Sequence, residues 1–570
     1  MKKRSKSQLE ASRRDFLKQS LITSSAFAFS NPAKLIMASL FSEMLTKSAH
    51  AANSTDNDFN FVNFAMLGAP PRWMFDNPLR PAGTASTHTP NSMVGTVFDA
   101  NLNPTYQTVT DPLFNGINMP KLWGGLIPRP GGGTTPMANL APNMLMIRGL
   151  DLALDSHELN PRRQLRPNPG GVSISGLVAD IASTPIPAIG YHGSSAGEEA
   201  AAFGSAKGLT EAFLWGGQYG GNPIGQALEP FSGASGLTEI SSAQVDTAID
   251  NLLNLMRTAS SSKHQFLPTS YQSRASAKAL MKKNFGDTQA AFNTLRDKYK
   301  SLINRSFLEA GLKLVGVDDL VLPGSTTSAK MTVEQTKIYS GSNFNSVFNS
   351  STDIDALASG MAVTEWMLMN RICSSLNVRT GGIGGITYDQ VYDTNTQTNA
   401  SNQVSGFGLD MHYFGSIPTL ATMTKFYRGW AACLYELITQ LKTVNLPNGK
   451  NLFQHTVMQL TGDFGRSART DFVGSDHAPD ASNTTLFSGM ITACEVVGNV
   501  RSNASSSYLG SYGTAAPVAA NQNRAIQLGN QISTVAALLE IPSPTANDSS
   551  IVSKNASGNA VVNLPRGTNA

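Results

Sequence analysis

Thr456-Val457-Met458-Gln459-Leu460-Thr461-Gly462-Asp463-Phe464-Gly465-Arg466 is the stretch on which the fold turns. Its first six residues are a short apolar run, Gly462 stops it, and an aspartate opens the loop that follows. Upstream, Thr419–Lys442 carries Leu420, Met423, Tyr427, Ala431, Leu434, Ile438 and Leu441 at spacings of three and four, which predicts an amphipathic helix. A helix followed by a short apolar strand is the pattern of a parallel sheet covered by helices. Two earlier runs fit the same sheet: residues 58–67 (DFNFVNFAML), ended by Gly68, and residues 144–148 (MLMIR), ended by Gly149. The expected fold class is therefore α/β, with a mostly parallel sheet, helices on both faces and the 59–67, 144–148 and 456–461 segments as neighbouring strands. A further helix is expected over 354–376, where Leu357, Met361, Leu368, Ile372 and Leu376 fall near one face.

Outside this core, the amino terminus reads as a leader. Lys2, Lys3, Arg4 and Lys6 precede Ser12-Arg13-Arg14-Asp15-Phe16-Leu17-Lys18, the heptad that twin-arginine export reads. The apolar stretches 21–29 and 35–45 are each too short for a membrane span of ~20 residues, and Asn31-Pro32-Ala33-Lys34 separates them. Ala49-His50-Ala51 offers the small residues of a cleavage site. Residues 1–51 are thus expected to be a twin-arginine signal peptide, leaving a periplasmic or secreted chain with no transmembrane segment and the twin-arginine translocase as its partner during export. Residues 52–541 are expected to form one domain with a helical cap inserted at about 240–330. The Ser-, Asn-, Thr- and Gly-rich stretch 542–570 shows no period and is expected to be a loose tail.

Charge excludes one class of partner. The whole chain has 43 Lys and Arg against 39 Asp and Glu; nine and three of these precede residue 52, leaving 34 against 36, a net charge of −2. The basic balance belongs to the leader, so nothing predicts binding to nucleic acid or to an acidic membrane surface. Three scattered cysteines, Cys373, Cys433 and Cys494, are too few for a disulfide framework or a zinc knuckle; an oxidising compartment leaves one bridge and one unpaired thiol open, and buried apolar side chains are the expectation for all three.

Candidate chemistry falls in the last third. Asp410-Met411-His412 lies in a glycine-flanked loop before the long helix, Asp463 follows the 456–461 strand, and His477 lies in Gly474-Ser475-Asp476-His477. Ligands of open parallel sheets bind beyond the carboxyl ends of strands. Asp410, His412, Asp463 and His477 are oxygen and nitrogen donors suited to a zinc- or manganese-like ion. The same residues also serve commonly as turn formers and helix caps. His88, His192, His264 and His455 are expected to be structural, with Gly193-Ser194-Ser195 beside His192 as a possible amide-lined anion pocket.

The order of these motifs resembles the carboxyl half of the twin-arginine-exported family called domain of unknown function 1501, within the alkaline-phosphatase-like superfamily. That family has a Gly-Trp-Asp-Thr-His loop, a long helix, a strand ending in Glu-Phe-Gly-Arg-Thr, and then Arg-Asp-His. Here Gly408-Leu409-Asp410-Met411-His412, the 419–442 helix, Asp463-Phe464-Gly465-Arg466-Ser467 and Ser475-Asp476-His477 stand in that order. Residues 489–498 and 531–541 are similar to the family's closing strand and helix. The resemblance implies an alkaline-phosphatase-like fold and a metal-dependent phosphate- or sulfate-ester hydrolase acting on a small anionic substrate. Arg466 would clamp the anion, and Ser156 beside His157 is the nucleophile candidate. The departure is in the first-strand loop: Gly68-Ala69-Pro70-Pro71-Arg72-Trp73-Met74-Phe75-Asp76 has Pro, Arg and Trp where the superfamily delivers a carboxylate. The alternative is accordingly a non-catalytic envelope protein that keeps the fold as a binding or scaffolding platform.

Overall fold

The computed structural model describes residues 59–81, 94–99, 104–192, 213–216, 288–318, 355–380, 383–387, 390–393, 398–401, 404–407, 409, 416–468, 475–503 and 511–569, apart from 67, 169–170, 183, 185 and 546. The chain divides into two compact units, 1–53 with 225–286 and 54–224 with 287–570, and every described residue lies in the second. The expected leader and most of the expected helical cap lie outside the described residues.

The second unit is mixed α/β. The strands that matter here, in chain order, are β1 (Asn60–Met66), β2 (Met144–Asp151), β3 (Ile186–His192), β4 (Phe213–Gly216), β5 (Cys373–Thr380), β6 (Thr456–Gly462), β7 (Gly465–Ala468), β8 (Ser475–Ala478), β9 (Ser482–Ser488), β10 (Glu495–Val497), β11 (Ile526–Gln527), β12 (Val552–Lys554) and β13 (Ala560–Val562). The helices that matter here are α1 (Leu159–Arg163), α2 (Ile174–Ile181), α3 (Thr288–Leu308), α4 (Asp355–Met369), α5 (Ser416–Thr443) and α6 (Leu528–Leu539). A nine-stranded sheet runs β4-β3-β5-β1-β6-β9-β2-β10, with β11 also paired to β2. Its pairs are parallel except those that β9 makes with β6 and β2, so β9 alone runs against the rest.

The three expected strands do share this sheet, and β1 and β6 are neighbours in parallel register. β2 is not adjacent to either: the reversed strand β9 separates it from β6. The expected 354–376 helix also overran. Arg371 takes a left-handed φ of 55° and ends the helical segment, after which 373–380 forms β5. The periodicity was ambiguous here because Leu376 fits both a helical face and a buried strand.

Both faces of the sheet are covered, as a parallel sheet requires. Phe61, Val457, Leu145, Ile147 and Leu486 pack in one cluster with Ile174 and Val178 of α2 and Ile532 and Val535 of α6. On the other face Phe64 and Phe487 meet Trp430 of α5, with Phe64 edge-on at 5.7 Å. Each such side chain contributes ~1.5–3 kcal/mol on burial. Helix α3, expected to stand out as part of a cap, instead packs on α4 and α5 and buries Phe292, Tyr299, Leu302 and Ile303. Among the described residues no helix is long and apolar enough to cross a membrane.

The carboxyl-terminal stretch is a second correction. Rather than hanging loose, β12 and β13 form a hairpin, and Ile551 and Val552 join the core cluster. Asn555 makes the turn, its side chain accepting from the amides of Ser557 and Asn559 at 3.0 Å each. The end is then held by Arg148, whose fully buried guanidinium donates to the carbonyls of Pro78, Gly498 and Thr568 at 2.6, 3.0 and 2.7 Å. Burial lowers the Arg148 pKa to about 9, with the charge of Tyr106 opposing the fall. All three cysteines are buried, as expected, and none is bridged; burial raises the Cys373 and Cys494 thiols to about 12.

Two backbone irregularities aim chain segments at the carboxyl ends of the strands. Gly149, at φ 59°, is the extra residue of a bulge where the β2–β9 register shifts, and a side chain there would meet the Asn499 carbonyl at 2.4 Å. β2 therefore continues past the expected stop to Asp151. After β1, Gly68 and Ala69 both have positive φ, 88° and 51°, turning the chain sharply back.

Candidate functional site

The ends of β1, β2, β5 and β6 and the β7–β8 ribbon come together at one edge of the sheet. A row of buried amides leads to it: Asn63 of β1 donates to Asn377 of β5 at 2.8 Å and accepts from Gln459 and Thr461 of β6 at 3.2 Å each. These side chains satisfy one another, so the row stiffens the strands that carry the site rather than offering it donors.

Asp463 stands one residue beyond β6, with its side chain 2% exposed. Its Oδ2 accepts from the Gly68 amide at 2.7 Å, a contact made possible by the turn after β1. The same oxygen accepts from Nδ1 of His157 at 2.7 Å. Its Oδ1 is buried and makes no hydrogen bond. Burial raises the Asp463 pKa, while the hydrogen bonds from His157 and Gly68 and the charges of His157 and Arg379 oppose the rise.

His477 comes from β8, across the ribbon from Arg466 of β7. Its Nδ1 is hydrogen-bonded to Oδ1 of Asp155. The His157 and His477 rings meet edge-on, with centroids 4.9 Å apart, and Phe464 packs against both at 4.6 and 4.1 Å. Burial lowers the His477 pKa, Arg466 and His157 add to the fall, and Asp155 opposes it.

The other sequence candidates are placed as follows. Ser156 accepts the Leu159 amide on its Oγ at 3.1 Å, which ties it to the first residue of α1. Arg466 spends Nε on the Ala69 carbonyl at 2.8 Å and Nη2 on the Gly68 carbonyl at 2.7 Å, binding the β1 turn to β7. Asp410 and His412 lie outside the described residues; Leu409 beside them is buried. Thus, among the described candidates, Asp463 and His477 meet around His157. Among the described residues no three His, Cys, Asp or Glu side chains are grouped so as to hold a metal ion.

The first-strand loop turns away from this cluster's chemistry. Arg72 and Asp76 pair with each other through Nε–Oδ1 at 2.8 Å and Nη2–Oδ2, and Arg72 also donates to the carbonyls of Asn483 and Leu460 at 2.8 and 3.2 Å. Both oxygens of Asp76 are consumed by this buried pair.

Sequence reasoning missed Asp155, Arg162 and Arg379. Asp155 had a signal, since it stands two residues before His157 in the loop after β2. Arg379, 6% exposed, was hidden because its strand was read as the end of a helix. It is in register with Ala65 of β1 and His192 of β3. Burial lowers the Arg379 pKa to about 10, with Asp463 opposing and Arg162 reinforcing. Of the histidines read as structural, His88 and His264 lie outside the described residues, and His192 is described only in its backbone. His455 stacks on Phe59 at 5.0 Å and meets Asn448 at 2.9 Å.

Comparison with known proteins finds no matching family model, no matching curated protein and no matching solved structure.

Proposed function

We propose that this chain is an exported, alkaline-phosphatase-like protein whose strand-end cluster acts on a small phosphate or sulfate ester. The observation that carries the reading is the Asp463 carboxylate: Oδ2 is held by two donors, while Oδ1 is buried with no hydrogen-bond partner. An acceptor left so in a protein interior costs ~1–3 kcal/mol, and a cation beside it removes that cost. Asp463 and His477 would hold a zinc or manganese ion together with Asp410 and His412. Such an ion would supply Lewis acidity toward the ester oxygen. Arg379, whose charge acts on Asp463, suits the anionic end of the substrate better than Arg466, two of whose nitrogens already serve backbone carbonyls.

Metal analysis of the purified mature protein tests this reading. Stoichiometric zinc or manganese, lost in Asp463→Asn, is the expected result; equal metal content in both proteins would sink it. Export rests on residues 12–18, and Arg13→Lys with Arg14→Lys should leave the chain in the cytoplasm with its leader attached, which cell fractionation reads directly.

A specific observation favours a second reading. Arg72 and Asp76 bind each other, so the first-strand loop lends no carboxylate to a second ion, which two-ion ester hydrolysis requires. A one-ion or non-catalytic envelope protein on the same fold follows from that. Metal retained without hydrolysis of nitrophenyl phosphate or sulfate would select it.

A further inference from the structure

Helix α5 and the 3₁₀ segment Met137–Asn143 enclose a cleft of about 360 Å³ that shares no residue with the strand-end cluster. Asn143, which lines it, immediately precedes β2, and the ammonium of Lys442, which also lines it, lies 5.2 Å from the ring centre of Phe453, three residues before β6. The cleft therefore sits by the amino-terminal ends of strands whose opposite ends lead to His157 and Asp463. Its volume falls near the lower end of the ~300–1,000 Å³ usual for ligand sites, room for one small molecule.

The sequence shapes it simply. Tyr435, Thr439 and Lys442 stand four and three residues apart on one face of α5, opposite Asn139 and Asn143. Leu140 and Ile438, both buried, give it an apolar floor.

Among the described residues that line the cleft, Lys442 is the one charged group. Its ammonium reaches Asn143 Oδ1 at only 3.4 Å, and no described carboxylate pairs with it. Desolvation lowers its pKa with no acidic neighbour opposing the fall. A cation so placed is suited to an anionic group. The polar groups around it are mostly acceptors. Nδ2 of Asn139 already donates to Thr135 Oγ1 at 2.8 Å, and Nδ2 of Asn143 to the Ile491 carbonyl at 2.7 Å. Thr439 gives its hydroxyl hydrogen to the Tyr435 carbonyl at 2.8 Å. What these side chains keep for a ligand is chiefly oxygen lone pairs, while the Tyr435 hydroxyl can give or take.

We propose that this cleft binds a sugar acid, whose carboxylate pairs with Lys442, whose hydroxyls donate to the oxygens of Asn139, Asn143 and Thr439, and whose ring covers the apolar floor. Inorganic phosphate or sulfate calls for several donors at once and meets one cation among acceptors. A ligand dense in hydroxyl groups is what such a wall complements. The inference stands apart from the ester reading, because the two sites occupy different ends of the strands.

Calorimetric titration of the purified protein with glucuronate, glucose, acetate and inorganic phosphate is the test. Glucuronate should bind, and the other three should each bind at least ~10-fold more weakly, since each lacks either the charge or the hydroxyls. Lys442→Met should weaken glucuronate ~10–100-fold and erase the preference over glucose, whereas Thr439→Val should cost ~3–10-fold and the exposed control Lys313→Met nothing. Lys442 is an exposed side chain, and circular dichroism of its variant checks that the fold is intact. A glucuronate-terminated oligosaccharide separates the sources: tighter binding than the monosaccharide identifies an envelope polysaccharide, equal binding a free sugar acid. No binding of either glucuronate probe at ~10 mM, or equal glucuronate affinity in wild type and Lys442→Met, would overturn the proposal. Acetate or phosphate bound as tightly as glucuronate would overturn it too, reducing the cleft to an unspecific cation. None of these outcomes bears on the metal analysis of the Asp463 cluster.

Discussion

Asp76 and Asp463 are both buried aspartates set after strands of one sheet, and they are finished differently. Asp76 has both oxygens occupied: Oδ1 takes Arg72 Nε at 2.8 Å and Asn483 Nδ2 at 3.3 Å, and Oδ2 takes Arg72 Nη2. Its guanidinium partner is equally engaged, reaching the Asn483 and Leu460 carbonyls and Thr485 Oγ1. Asp463 has one oxygen doubly held and the other without a hydrogen bond, against a histidine that is 36% exposed. The contrast separates two uses of a buried charge. A saturated pair locks segments together and has nothing left for a ligand; an incomplete one is costly to keep, so its persistence asks for a reason.

Stability measurements would break or sharpen this contrast, and the largest effect is expected on the saturated side. Arg72→Met should destabilise the protein by ~3–5 kcal/mol in denaturant unfolding, because it strands the Asp76 charge in the interior. Arg72→Met with Asp76→Leu should recover much of that loss. Asp463→Asn should change stability by only ~1 kcal/mol in either direction, since burial already opposes its ionised form. If Asp463→Asn instead costs as much as Arg72→Met, Asp463 is a second structural clamp and its claim to a ligand fails.

The strand-end location of Asp463 was legible in the sequence because a glycine-terminated apolar run followed a strongly periodic helix, and both elements formed as read. The sheet was legible as a class but not in its order. Nothing in residues 482–488 says that this strand turns back between β6 and β2, since local pattern carries no information on which edge a strand joins. The tail was misread for a different reason. Its two strands are three residues each, too short for a period to register, and the Arg148 contact that ties down residue 568 spans the whole domain. The site was half legible: residue types pointed to Asp463 and His477, whereas the grips by His157 and Asp155 depend on a bulge and a loop path that only packing reveals.

The smallest expected effect concerns His455, a histidine outside the cluster that gives the contrast a pH coordinate. It is 3% exposed, stacks on Phe59, and faces Asn448, whose Nδ2 donates to its Nε2. That contact requires the neutral ring, with the proton on Nδ1, an atom buried without a partner. Burial lowers the His455 pKa below 6.5, the charges of Lys450, Arg371 and Lys554 lower it further, and only Glu540 opposes them. A histidine with a depressed folded-state pKa binds its proton more readily when unfolded. Its contribution is therefore complete above pH 6.5 and is lost as the pH falls from there through the folded-state value. Denaturant unfolding at pH 7 and pH 5 should show a loss of about 1 kcal/mol or less from this residue, well under the Arg72 effect. The loss should be absent from the pH difference of His455→Gln, whose absolute stability will be lower at both pH values because the stack on Phe59 is gone. An identical pH difference in wild type and variant would mean that His455 takes up its proton alike in the folded and unfolded states, and that acid sensitivity arises in other groups.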